Sequence, residues 1–293
     1  MDKFSYEQAF RLASTIFKGD FRQVQRGKNN WVFEDDAHIL NIPRHKRVRG
    51  YTIRIAVTQK LIAEGIPVAK IVNYSEGTFD RPEYLLVERV QGSILDLSTI
   101  SEKEMESSHR SAGEILRRLH LIRTGGYGRL NENLVGNNAS WAEFTERFFK
   151  ESLERLKKNR SLWEAYGGHV KDVYTKSRHL LYEAINPSFL HADFHLGNIL
   201  FNNRRVSAIL DLDIVTSGDP AWDTVHYCRT FNIARKKGVR WFKRGYGADL
   251  PFEVERLYCL IIWTRKIGSQ ALERPEALKE TIPELEKILE GTT

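Results

Sequence analysis

The sequence predicts an α+β fold of two lobes, a small one built on an antiparallel sheet and a larger, mostly helical one. Three observations point there. The chain has 293 residues, enough for two units of ordinary domain size. Residues 1–90 break into short runs rich in β-branched and aromatic residues, separated by turn residues. From residue 91 onward, capping sequences and apolar residues at helical spacing dominate. The expected division is therefore 1–90 and 91–293, with an extended linker at 88–92. Hydrophobic residues make up 41% and charged residues 28%, a balance that supports packed cores rather than disorder.

The small lobe opens with a helix over 5–17, where Phe10, Ala13, Ile16 and Phe17 fall on one face. Strands follow at 21–25, 31–34 and 38–42, with Asp35-Asp36 as the turn between the last two. The stretch Gln25-Arg26-Gly27-Lys28-Asn29-Asn30 links the first pair, and its glycine would let the backbone approach a ligand closely. Residues 48–64 read as a helix of poor propensity, since Gly50 and several β-branched residues disfavour it. Gly65-Ile66-Pro67-Val68 stops that helix and leads into a strand over 69–74. Tyr84 to Val87 is a further strand running into the linker that ends at Gly92.

Ser101 and Glu104 have capping-box spacing and open a helix carrying Ala112, Ile115, Leu116, Leu119 and His120, which ends near Gly125-Gly126. A loop reaches Asn138, and Ser140 with Glu143 opens the next helix, over 140–158. A further helix is expected over 168–185. After Asp219-Pro220, a helix-starting pair, three more are expected at 221–234, 252–272 and 283–289. Internal repeats and low-complexity linkers are absent.

The net charge is +7, and the basic residues concentrate at 44–54 and 229–244. Aromatic residues interleave the second cluster (Phe231, Trp241, Phe242, Tyr246), but no nucleic-acid-binding motif accompanies the charge, so nucleic-acid binding is disfavoured. The two cysteines, Cys228 and Cys259, form neither a disulfide framework nor a metal-binding spacing, which fits a reducing compartment. The chain lacks an apolar leader core and a run of the roughly 20 apolar residues needed to cross a bilayer. A cytoplasmic protein is expected.

Chemistry concentrates between Phe189 and Pro220. Two short apolar runs, Ile199 to Phe201 and Val206 to Leu210, flank the turn Asn202-Asn203-Arg204. Pairing them would bring Asn198, just before the first, close to Asp211, just after the second. An amide oxygen and a carboxylate are hard ligands suited to Mg²⁺, which is held by one or two such groups plus substrate phosphates. Asp193 lies five residues before Asn198 and can accept a proton from an attacking hydroxyl.

The pattern His191-x-Asp193-x4-Asn198, followed by an apolar strand ending at Asp211 and then by Gly218-Asp219-Pro220 and Asp223, resembles the aminoglycoside phosphotransferase family, kinase-like enzymes that include hygromycin-type antibiotic kinases. The Gly65-Ile66-Pro67-Val68 step, Leu119-His120 and the run from Gly126-Tyr127-Gly128 to Trp141 and Phe144 are similar to that family too. The resemblance spans about Gly27 to Leu272. It implies a two-lobed protein-kinase-like fold and transfer of the γ-phosphoryl of ATP or GTP to a hydroxyl of a small molecule. Asp193 would be the base, His191 a loop organiser, and Asn198 and Asp211 the Mg²⁺ ligands.

By the same resemblance Gly27 and Lys28 would lie over the nucleotide phosphates, and Glu88 and Val90 would form a hinge against the purine. Asn41 stands where kinases carry a lysine that pairs with a helix glutamate. The matching helix position falls near Val57, and Glu64 is the acid on that segment. Arg44, Lys46 or Lys28 would have to supply the missing charge, with Arg44 and Lys28 favoured. A polycationic amino-sugar substrate would need acids, and Asp213, Asp223 and Glu143 are the first candidates, with Glu146, Glu253, Glu255 and Glu273 in reserve. A small hydroxyl metabolite as substrate, and a nucleotide-binding pseudokinase without turnover, are the alternatives. The expected partners are thus a purine nucleotide, Mg²⁺ and a small hydroxyl compound, with no membrane.

Overall fold

The computed structural model describes residues 4–24, 30–45, 51–78, 81–183, 185–229 and 235–292. In chain order the elements are α1 (Tyr6–Ile16), β1 (Arg22–Val24), β2 (Asn30–Glu34), β3 (His38–Pro43), α2 (Thr52–Ala63), β4 (Ile71–Ser75), β5 (Tyr84–Glu88), α3 (Glu102–Leu121), β6 (Tyr127–Leu130), β7 (Gly136–Asn138), α4 (Trp141–Lys157), α5 (Arg160–Ser177), β8 (Ser188–Leu190), β9 (Ile199–Asn202), β10 (Arg205–Ile209), β11 (Thr216–Gly218), α6 (Ala221–Arg229), α7 (Arg235–Tyr246), α8 (Phe252–Glu273) and α9 (Leu278–Glu290). The chain divides into two compact units. The first holds residues 1–96, 131–134 and 197–213, and the second holds the rest. The hairpin bearing Asn198 and Asp211 thus belongs with the small sheet, not with the helical part as the expected division places it.

The first unit is an antiparallel sheet of order β1-β2-β3-β5-β4. A capping box between Ser5 and Gln8 starts α1. Its Ala9, Ala13 and Phe17 then pack on Phe33, Leu40 and Ile42 of the sheet. The expected Asp35 turn forms because its carboxylate accepts the amides of Ala37 and His38 at 2.8 and 2.5 Å. Strands β9 and β10 form the expected hairpin. Asn203 and Arg204 both adopt positive φ, 47° and 65°, the two-residue turn whose twist matches that of paired strands. The hairpin joins the unit by backbone bonds. The Ile209 amide donates to the Pro67 carbonyl at 2.8 Å, and Ser93 and Phe201 exchange bonds of 3.0 and 2.8 Å. Gly92 makes that junction possible, because a Cβ there would lie 2.8 Å from the Phe201 carbonyl oxygen.

In the second unit a sheet of order β7-β6-β11-β8 packs with the helices. Its strands are three or four residues long and were not expected: the stretch read as a loop to Asn138 holds β6 and β7. Trp141, Trp222 and Tyr258 centre the core. The Trp141 indole donates to the Tyr258 hydroxyl at 2.7 Å, and that hydroxyl donates to Asp219 at 2.5 Å. Such a chain satisfies buried polar groups while it ties α4 to α8.

Three helix expectations change. The helix expected from Gly168 starts at Arg160, because the Asn159 side chain caps it by accepting the Leu162 amide at 3.1 Å, and Gly167 and Gly168 lie within it. The one expected from Pro283 starts at Leu278. The basic segment at 235–244, to which no helix was assigned from the sequence, forms most of α7, with Trp241 and Phe242 buried. That burial takes Trp241 and Phe242 out of reach of a stacking base, while Phe231 lies outside the described residues. The end expected for α6, at 230–234, and the start expected for α2, at 48–50, lie outside the described residues.

Glycines explain α7. A Cβ on Gly113 of α3 would lie 2.3 Å from the Phe242 carbonyl oxygen, and one on Gly245 would lie 2.1 Å from that of Arg110. Backbones approach this closely only without side chains, so residues that weaken a helix by propensity are what let α7 dock. Gly245→Ala should therefore cost about 1–3 kcal/mol by overpacking. A urea unfolding midpoint lowered accordingly is the expected result, whereas a raised midpoint would mean that helix propensity outweighs the contact.

Candidate active site

The loop after β8 is shaped from below. Asp223, in the first turn of α6, is fully buried, and its two carboxylate oxygens accept the amides of His191 and Ala192, each at 2.7 Å. The His120 imidazole lies 3.3 Å from the same carboxylate, and its other ring nitrogen is 2.8 Å from the Tyr246 hydroxyl. Ala192 has φ of +68°, a left-handed conformation unfavourable for a residue with a Cβ. Charge-assisted bonds to two successive amides hold it there.

Asp193 follows that strained residue. Its amide donates to His191 Nδ1 at 3.2 Å, and His191 is wholly buried with its ring edge-on to Phe194. Around the Asp193 carboxylate, His195 Nε2 lies at 3.6 Å and His226 Nδ1 at 3.7 Å. Burial pushes the Asp193 carboxyl up, but the His195 hydrogen bond and the charges of His195, His226 and His191 outweigh it and hold the group at about 2. Neither His195 nor His226 was singled out in the sequence.

The first unit contains a cavity of about 700 Å³, in the range of small-molecule sites. Val32, Ile39 and Ala69 come from its sheet side, Leu200 and Ile209 from the hairpin, and together they present apolar walls. Asn41, Glu88, Val90, Asn198, Asp211 and Asp213 all line it. The Leu210 amide donates to the Asn198 carbonyl at 2.8 Å, which brings Asn198 and Asp211 to the same, open end of the hairpin. Asp211 has φ of +55°, so the chain turns sharply where the strand ends.

Several expected site residues are elsewhere. Gly27, Lys28 and Lys46 lie outside the described residues. Arg44 does not line the cavity; its guanidinium stacks 4.0 Å over the Trp31 ring. Glu64 pairs with Lys60 at the exposed end of α2, and Val57 is buried in the core, so neither lines the cavity that holds Asn41. A cation that was not foreseen, Arg54 of α2, does line the cavity, 3.7 Å from Asp213.

The acids offered for a cationic ligand are largely engaged. Asp223 is buried under the loop, as described, and cannot face a substrate. Glu143 caps its own helix, accepting the Ala139 amide at 3.0 Å, and this bond with the Asn138 side chain keeps its carboxyl below the usual range. Glu146 takes Tyr182 and Arg178, and Glu255 takes Arg229. Asp213 lies in the cavity of the first unit.

Comparison with known proteins now bears on these features. The model of the phosphotransferase enzyme family, APH, matches residues 20–257. Acyl-CoA dehydrogenase family member 11 of Pongo abelii is 25% identical over 216 residues, covering 70% of this chain and 26% of that protein. The Homo sapiens counterpart is 24% identical over the same shares. This chain therefore matches about a quarter of the length of those curated relatives. Among solved structures, a thermostable mutant of aminoglycoside phosphotransferase APH(4)-Ia in apo form superposes with a TM-score of 0.78 at 16% identity, covering 96% of this chain and 98% of that one. The gentamicin complex of APH(2")-IIa gives 0.69 at 18% identity, with 97% of each chain covered. These likenesses bear out the expected two-lobed, kinase-like fold.

The Asp223 geometry makes a prediction independent of any ligand. Asp223→Asn leaves one buried amide facing an NH₂ group, at a cost of about 2–3 kcal/mol. Urea unfolding of the ligand-free protein should register that loss. A midpoint equal to the parent's would show that the carboxylate does not hold the loop.

Proposed function

We propose, on the premise that this chain belongs to the phosphotransferase enzyme family, that it transfers the γ-phosphoryl group of ATP or GTP to a hydroxyl of a small molecule. The observation that carries the proposal is the cavity of the first unit, which Asn198 and Asp211 both line together with apolar residues of the sheet and the hairpin. A flat purine suits apolar walls, and Glu88 and Val90 border the same cavity where the hinge was expected. An amide oxygen and a carboxylate are the donor set Mg²⁺ takes when phosphate supplies its other ligands, so Asn198 and Asp211 fit that ion. Bound there, Mg²⁺ would neutralise charge on the nucleotide phosphates.

Asp193 is the proposed base. Ionised at neutral pH, its carboxylate can orient the acceptor hydroxyl and take its proton as the oxygen attacks phosphorus. His191 and Asp223 act through position, keeping the strained loop that carries it. Little covalent work is asked of the protein; alignment and charge neutralisation provide the rate. A reducing, nucleotide-supplied cytoplasm is the setting we assign, in keeping with two free, buried cysteines.

For the substrate, amino-sugar antibiotics stand first, because APH(4)-Ia was solved with hygromycin B and AMP-PNP and APH(2")-IIa with gentamicin and with streptomycin. A less cationic hydroxyl metabolite is the second reading. It is favoured by the engagement of Asp223, Glu143, Glu146 and Glu255, which leaves fewer acids for ammonium groups.

Mg-ATP or Mg-GTP should raise the thermal midpoint with concentration, and the parent should release ADP or GDP in the presence of an acceptor. Asp193→Asn should keep the shift and lose about two to four orders of magnitude in turnover. A variant as active as the parent would remove Asp193 from the role, and growth protection across an aminoglycoside panel separates the two substrate readings.

The pH profile is set by the same group. Because the Asp193 carboxyl sits at about 2, below its ordinary 3.8, it takes up a proton only as pH falls towards that value. Its acid limb in kcat/KM should therefore lie below about pH 3. A limb between pH 4 and 5 that belongs to Asp193 would contradict the surroundings described.

A further inference from the structure

The cavity poses an electrostatic problem. A nucleoside triphosphate brings several negative charges, yet the strand position that carries a lysine in kinases holds Asn41, a neutral amide. Carboxylates are plentiful on the wall, with Glu34, Glu88, Asp211 and Asp213 all bordering it. Among the described residues two cations line the space, Arg54 and Arg89. Arg89 is drawn aside, its Nε 3.6 Å from the Glu34 carboxylate.

We infer that Arg54 is the phosphate-binding cation of this cavity, taking from helix α2 the contact that Asn41 cannot make from strand β3. The inference rests on the phosphotransferase reading of the same cavity and names a residue for it.

Two local rules are broken at Arg54 at once. It lies three residues after Tyr51 and four before Thr58, both buried, so it shares the inward face of α2. Its side chain is 18% exposed, and a guanidinium this covered needs a partner. It also falls in the first turn of its helix, where the dipole disfavours a cation and the turn contains no acid. A residue that violates burial and dipole preference together, on the wall of a cavity, points to a ligand that repays both. An anion does so: it pairs with the guanidinium and is attracted by the same helix end.

The partner in hand fits that purpose. Asp213 Oδ1 lies 3.7 Å from Arg54 Nη1, at the margin of an ion pair. Such a contact keeps the guanidinium on the cavity wall, where its forked donors suit phosphate oxygens. The usual lysine–glutamate arrangement is here reversed, with the cation on the helix and the carboxylate just beyond the metal segment. Asp213 is then a positioning residue for Arg54 and not the substrate contact expected from the sequence.

Calorimetric titration of Mg-ATP, Mg-GTP and the matching nucleosides into the parent, Arg54→Met and Arg54→Met/Asn41→Lys tests this. Arg54→Met should weaken the preferred triphosphate by roughly 10- to 100-fold, the loss expected of charge-assisted bonds, and leave the nucleoside unchanged. Its nucleotide KM should rise more than its kcat falls, and restoring a lysine on the strand should recover most of the affinity. Triphosphate binding equal to the parent's in Arg54→Met overturns the inference and leaves the phosphotransferase reading intact. An equal loss for nucleoside and triphosphate would show disrupted packing and also overturns it. A parent that binds no purine nucleotide overturns both.

Discussion

The carboxylate of Asp223 holding two successive amides is the constraint on which the second unit's candidate chemistry depends. Its bonds to His191 and Ala192 are short, buried and charge-assisted. They fix a left-handed residue that would otherwise relax, and Asp193 projects from the next position. The carboxylate is itself braced by His120 from α3, and His120 by Tyr246 from α7. The close docking of α3 and α7 through Gly113 and Gly245 is therefore more than packing. It sets where His120 stands and, through it, the loop.

The first unit solves a different problem, that of gathering oxygen donors at an apolar slot. A two-residue turn at Asn203-Arg204 starts the register of β9 and β10, and an irregularity between Val206 and Ala208 shifts it by one residue, so that Ile209 faces Ile199 at the end where Asn198 and Asp211 lie. The bonds from Pro67 and Ser93 then fasten the hairpin to the sheet-bearing unit. Each feature is local, and together they shape a cavity whose polar rim lies at the ends of two strands.

Much of this was legible in the residues. The His191 to Asn198 spacing, the hairpin turn and the capping at Ser101 rest on short-range chemistry, which neighbours in sequence determine. What depended on distant contacts was not legible. The short strands β6, β7, β8 and β11 have three or four residues each and take their pairing from one another, with no alternation long enough to read. Helix α7 contains two glycines and a run of charge, and its reason for being helical lies on α3. Asp223 read as an acid for substrate because sequence does not show that its carboxylate turns inward. Likewise, the search for a replacement cation looked to Arg44 and Lys28, near in sequence to the strand, whereas Arg54 reaches the cavity by its place on a helix face.

The central claim is that Asp223 serves the reaction solely by placing Asp193. A double-mutant cycle on kcat tests it most directly, using Asp223→Asn, Asp193→Asn and the double variant under conditions where all are folded. If Asp223 acts through Asp193, its substitution costs turnover in the parent and nothing further once Asp193 is asparagine. A double variant slower than Asp193→Asn by the full factor that Asp223→Asn costs alone would contradict the account.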